Sequence, residues 1–154
     1  MKIKNNKIDI IMEIICLVLL IGIVVYLCMN WSDIPDKIPM HYDWAGNIDR
    51  WGNKGEIVFL TFITWFLYLM ITVLEQMPNI WNTGVKVTEA NKESVYRVLK
   101  YMIKSLKLIM VIDLSYITIN TLMGRNLPEW FTFAFLILVF GDLFFWIGKL
   151  IRLQ

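Results

Sequence analysis

A chain of 154 residues that is 58% hydrophobic and only 18% charged departs from the composition of a water-soluble domain, where apolar residues run about 45–50% and charged ones about 25%. These totals fit a protein whose solvent is lipid. A net charge of +2 leaves no electrostatic footprint for nucleic acid, and two cysteines are too few for a disulfide framework.

Residues 10–29 form the first apolar run, interrupted only by Glu13. The run is too long for the apolar part of a signal peptide, and no small-residue cleavage site follows it. Cys16 and Cys28 both fall within it, twelve residues apart, or about 18 Å on a helix. They cannot bridge each other there, and apolar packing is their expected role.

Residues 30–56 form a dense polar loop holding the one histidine, His41, with Pro35, Pro39 and a cluster of acids. The two prolines restrict their own φ and push the residues before them towards extended geometry. The segment "IPMHY" therefore reads as a short extended piece, "AGN" as a tight turn and "IDRW" as the returning strand. Such a hairpin brings His41 close to Asp49. Trp31, Tyr42, Trp44 and Trp51 give the loop large rings to lay against lipid headgroups.

The next run, residues 57–74, carries no charge. Residues 75–102 form a basic connection in which Pro78 and Gly84 mark turns and Thr88 with Asn91 marks a helix start. From there Glu93, Arg97, Lys100, Lys104 and Lys107 recur every three or four residues, which places them on one helix face. The expected helix continues into the third run, residues 103–123. The stripe is expected to be a lipid-tolerant face, or else a contact for anionic lipid or a partner. The fourth run, residues 130–148, contains Asp142.

Each run is long enough for a membrane helix, which needs roughly 17–25 largely apolar residues. The expectation is one all-α membrane domain over residues 1–154, a four-helix transmembrane bundle with a small β-hairpin between the first two spans. Lys2, Lys4 and Lys7, the connection 75–102, and Lys149 with Arg152 gather the basic residues on one side. By the positive-inside rule both termini are expected in the cytoplasm, with loop 30–56 outside. Trp31, Trp51 and Trp130 then fall at the outer boundary.

Three acids lie within the spans: Glu13, Asp113 and Asp142. Each is six or seven residues from a basic flank, about 9–10 Å along a helix. A lone charge at mid-membrane costs at least about 2.5–3.5 kcal/mol. The three are therefore expected to face inward at one level and to share partners or protons, with Lys104 and Lys107 as counter-ions. Asp113, Tyr116 and Asn120 share one face of the third helix. This set reads either as a structural polar knot or as a proton- or cation-linked site.

For His41, three roles follow from its chemistry. It can bridge Asp49 or a backbone carbonyl and hold the hairpin shut. It can bind metal with Asp43, Asp49 or Asp36, although no second histidine supports this. It can act as a general acid or base, although no nucleophile stands at a recognisable spacing. Nothing in the sequence points to a cofactor.

The residues Ile34, Pro35, Ile38, Pro39, His41, Gly46, Asp49, Trp51 and Lys54 follow a pattern of the form LP-x-x-IP-x-H-x-x-x-x-G-x-x-D-x-W-x-x-K. In this the chain resembles a bacterial membrane family of unknown function, whose domain forms the N-terminal part of SdpI-type immunity proteins. Those proteins protect a producing cell from its own secreted toxic peptide and carry further spans beyond the four found here. The resemblance implies a multi-pass protein of the bacterial cytoplasmic membrane. It further implies a loop, including Asp43, that meets a secreted peptide or a membrane partner. Three classes of function are thus open: a peptide- or partner-binding immunity-like protein, a small transporter acting as a homo-oligomer through its intramembrane acids, and a membrane enzyme using His41. The last has the least support, since no catalytic constellation is complete.

Overall fold

The computed structural model describes residues 3–154. Lys2, counted above with the basic N-terminal flank, lies outside them. Four helices and one two-stranded sheet follow in the order α1 (Lys7–Asn30), β1 (Lys37–Tyr42), β2 (Ile48–Asn53), α2 (Glu56–Leu74), α3 (Lys92–Met123) and α4 (Phe131–Ile151), with a 3-10 turn at Pro78–Ile80.

Local chemistry sets the helix ends. Asn6 caps α1 in a capping box: Asp9 N–H donates to Asn6 Oδ1 at 3.0 Å and Asn6 N–H to Asp9 Oδ2 at 2.8 Å. Thr88 and Asn91 exchange a similar pair of bonds just ahead of α3. Gly124, at φ 64°, closes α3, its N–H donating to the carbonyls of Asn120 and Thr121.

Three helices are long and apolar enough to cross a membrane: α1, α2 and α4. They leave Ile11, Val18, Phe59, Phe66, Ile137 and Phe144 exposed, while the buried set includes Lys100, Lys104, Lys107, Ser115, Thr118 and Thr121 of α3. This reverses the partition of a water-soluble domain, and it suits helices whose outer faces meet hydrocarbon. The remaining long helix, α3, is too polar to qualify by composition. It is instead the hub, packing against α1, α2, α4 and β1. Its 32 residues span about 48 Å against a hydrocarbon core of about 30 Å, so its first turns extend past the apolar run.

The hairpin seals one end of the bundle. β1 and β2 pair antiparallel, with Lys37 opposite Asn53, Pro39 opposite Trp51 and Tyr42 opposite Ile48; the ladder is irregular between Pro39 and His41. With two strands, both are edges, so Pro39 removes no interior ladder bond. On the inner side Ile34 and Ile38 join Leu27 and Ile57 in a buried cluster, with Leu122 packed against it. On the other flank the hairpin is stitched to the α3–α4 loop. Leu127 N–H donates to Gly46 O at 2.8 Å, Ile48 N–H to Asn126 Oδ1 at 3.0 Å, and Thr132 Oγ1 to Trp44 O at 3.0 Å. Tyr42 OH and Thr121 Oγ1 are 3.2 Å apart.

Gly46 is at the centre of this docking. Its φ is 86°, and a Cβ there would sit 2.6 Å from the Leu127 carbonyl oxygen. Both the left-handed conformation and the close approach call for glycine. Gly46→Ala is therefore expected to cost about 1–3 kcal/mol, read as a lower unfolding midpoint in detergent. Gly22→Ala, where a Cβ meets nothing within 4 Å, is expected to leave the midpoint unchanged or slightly raised.

Candidate functional site

Two polar centres stand out, one at each end of the bundle. At the hairpin end, His41 Nδ1 lies 2.7 Å from Asp49 Oδ1, and both side chains are largely exposed. Arg50, opposite His41, pairs with Glu56 at 3.0 Å. Trp44 is 74% exposed and Trp51 54% exposed. These groups form the outward surface of the loop, while its other motif residues hold the shape. Pro39 is fully buried, Pro35 is exposed where the chain enters β1, and Gly46 is docked as described. Lys54 Nζ ties the start of the loop down, donating to Ile34 O at 3.1 Å and pairing with Asp36 at 3.2 Å. It also sits 5.6 Å from the centre of the Trp31 ring, a cation–π contact.

Asp43 belongs to the turn. Its Oδ1 accepts from the N–H groups of Asn47 at 2.8 Å and Ala45 at 2.9 Å. The Asn47 N–H first, with the Asn47 side chain and the Ala45 N–H, holds the Asp43 carboxyl below its ordinary range. This engagement separates the candidate metal ligands. His41 and Asp49 meet, but Asp43 is turned into its own loop, and no group of three His, Cys, Asp or Glu converges among the described residues.

At the opposite end, three buried charges and the half-buried Glu13 interlock. Lys107 Nζ donates to Glu13 Oε2 at 2.9 Å and to Thr72 Oγ1 at 3.0 Å, and it lies 2.6 Å from Glu75 Oε1 as an ion pair. Lys104 Nζ bridges Glu13 Oε2 at 3.0 Å and Glu75 Oε2 at 3.1 Å. Tyr68 OH donates to Glu13 Oε1 at 2.5 Å. The side chains of Lys107, Lys104 and Glu75 are 1%, 3% and 7% exposed. Three helices contribute: Glu13 from α1, Tyr68, Thr72 and Glu75 from α2 and its cap, and the lysines from α3. Closer to the chain end, Arg97 Nη1 pairs with the fully buried Asp9 at 3.1 Å.

The three acids of the apolar runs do not share one site. Glu13 joins the quartet. Asp142 accepts instead from Ser105 Oγ at 2.8 Å and Trp146 Nε1 at 2.9 Å, between α3 and α4. Asp113 makes no ion pair or hydrogen bond among the described residues; it lines a groove against α4 with Tyr116, Phe131 and Leu138. The reason is angular. Asp113 follows Lys104 by nine residues, about two and a half helical turns, so it emerges on the opposite side of α3. Asn120 is buried and donates back to Tyr116 O at 3.0 Å.

Glu75 is the residue that sequence reasoning placed in a connection and the structure places in the core. A signal was present: Tyr68, Thr72 and Glu75 are spaced by four and three, one face of α2.

Removing one carboxylate leaves buried ammonium groups undercompensated. Glu13→Gln is expected to destabilise the fold by about 3–5 kcal/mol, measured as loss of folded yield and midpoint in detergent. The double change Glu13→Gln with Lys104→Met restores one acid to one base and is expected to recover much of that loss. For Asp43, the depressed folded value means the turn is strengthened above the ordinary carboxyl range and loses that support as pH falls through the folded value. Amide exchange at Asn47 is expected to accelerate only on the acid side of the ordinary carboxyl range, and Asp43→Asn should remove the pH dependence.

Residues 17–73 match the family model described as a domain of unknown function, DUF1648, the domain family found in SdpI-type proteins. No curated protein and no solved structure matches the chain. The chain thus carries a DUF1648 domain that runs from midway along α1, through the hairpin, to the last turn of α2.

Proposed function

We propose that this is a four-span membrane protein of the SdpI-like kind, with both termini on the cytoplasmic side of a bacterial membrane. Its outward-facing hairpin would recognise a secreted peptide or a membrane partner. The observation that carries this reading is the division of labour in the hairpin. Its scaffold is buried, capped and stitched to α3 and α4, while Trp44, Trp51, His41 and Asp49 are left in the open. A rigid surface presenting aromatic anchors loses little conformational entropy on binding, and such residues dominate binding hot spots. The fourth span is α3, whose charges turn to protein partners rather than to lipid. The orientation follows from the gathering of lysine and arginine at the end away from the hairpin.

A second reading, a proton- or cation-linked transporter subunit, draws on Asp113, a carboxyl two-thirds of the way along α3 with no partner among the described residues. Enzymatic chemistry gains little from the exposed His41–Asp49 pair, which has no nucleophile beside it.

Expression of the chain in a bacterium sensitive to a secreted membrane-active peptide is expected to raise survival. Trp44→Ala and His41→Ala, which leave the backbone bonds of the hairpin in place, are each expected to reduce that protection at least about tenfold. Protection that is absent, or equal in the variants, would sink the recognition reading. Proton flux in proteoliposomes that is abolished by Asp113→Asn would favour the second reading. Lys37→Cys should be labelled by an impermeant reagent on intact cells; labelling only after lysis would reverse the orientation.

A further inference from the structure

Beside the charged quartet, at the end of the bundle away from the hairpin, lies a cavity of about 770 Å3. Its walls come from the segment before α1, the end of α2 and the first half of α3, and include Lys4, Asn5, Gln76, Lys100 and Lys104 with Glu13 and Glu75. The recognition role of the hairpin does not use it.

The charges around this cavity do not balance. Glu13 and Glu75 are each engaged by both Lys104 and Lys107, and Asp9 is engaged by Arg97. Among the described residues, three carboxylates thus face five cations once Lys4 and Lys100 are counted. Lys100 is the telling member. It is 5% exposed, yet among the described residues its ammonium hydrogen-bonds only to neutral oxygens: the Ile3 carbonyl at 2.9 Å and Asn5 Oδ1 at 2.6 Å. An ammonium has three donors, so one N–H remains, in the wall of the cavity. A buried cation with no carboxylate in hydrogen-bond contact is costly, and a basic pocket between membrane helices is suited to an anionic headgroup.

We propose that this cavity binds a phosphate anion, with Lys100 as its principal ligand and Lys4 at its mouth. The neutral donors Asn5 Nδ2 and the Gln76 amide are in the same wall. Two sources offer this chemistry, the phosphodiester of an anionic phospholipid and free inorganic phosphate. The net positive excess excludes a simple cation site, even though two carboxylates line the cavity, because both are already held by lysines.

The test uses the full chain in nanodiscs of phosphatidylcholine, with and without phosphatidylglycerol. A parallel arm holds phosphatidylcholine constant and exchanges chloride for inorganic phosphate at equal ionic strength. The readouts are the unfolding midpoint and the lipid retained in native mass spectrometry. A higher midpoint with phosphatidylglycerol alone identifies a lipid headgroup; a rise with phosphate as well shows that the free anion suffices. No rise in either arm overturns the proposal. Lys100→Gln is expected to weaken retention by about tenfold or more, the size of one lost charged hydrogen bond, and Lys100→Arg to keep it. Should Lys100→Gln not fold, Lys4→Gln, at an exposed position, is expected to weaken retention as well. Lys86→Gln, also exposed but outside the cavity, should change nothing. An equal loss in Lys86→Gln would mean diffuse surface attraction and would also overturn the proposal.

Discussion

The quartet of Glu13, Glu75, Lys104 and Lys107 is the constraint around which the bundle is organised. Lipid cannot solvate an ammonium group, and a buried ion is tolerated only when partners replace its water. Lys107 has such partners on two sides, in Glu13 and Glu75, with Thr72 taking a further N–H and the Tyr68 ring 4.9 Å away. That arrangement fixes three helices against one another at once. It also explains why the most polar helix lies at the centre, touching every other helix, while the three apolar ones surround it. Apolar packing continues the same contact: Cys16, Leu20, Tyr68 and Val111 form a buried cluster adjoining the charges, drawn from the same three helices.

The hairpin solves a different problem. A loop between two membrane helices needs no fixed shape to connect them, yet this one has a buried underside, a capped turn and bonds to the α3–α4 loop. Much of the proline, histidine and glycine pattern of the loop is accounted for by that construction. Ile34 and Ile38 fill the seal, Pro39 is buried with them, Gly46 admits Leu127, and Lys54 clamps the entry. The remainder, His41 with Asp49 and Trp51, is displayed rather than packed. Shape and display are thus written in the same twenty-odd residues, but by different side chains.

Much of this was legible in the sequence, because the signals involved are local. Unbroken apolar runs mark α1, α2 and α4, and prolines, a turn glycine and alternating large residues mark the hairpin. The basic spacing of three and four along α3 marked a helix face, though not what covers it. Long-range pairing was less accessible. Depth along a helix can be counted from sequence, but the direction in which a side chain leaves it relative to neighbours depends on packing. Hence counting depth groups Asp113 and Asp142 with Glu13, whereas Asp113 faces α4, Asp142 faces Ser105 of α3, and the quartet joins α3 to α1 and α2. Glu75 gives no such signal of depth because it follows the last apolar residue of α2, where an acid ordinarily meets water. The bonds from Asn126 and Leu127 to the hairpin tip carry no local signature at all.

The order of the quartet along the chain has its own consequence. Both carboxylates, Glu13 and Glu75, precede both lysines. During synthesis the first two helices therefore leave the ribosome carrying the acids, and α3 follows with the bases. Each ammonium group is thus made after the carboxylates that will hold it, so the most polar helix emerges when the charges it needs are already built into α1 and α2.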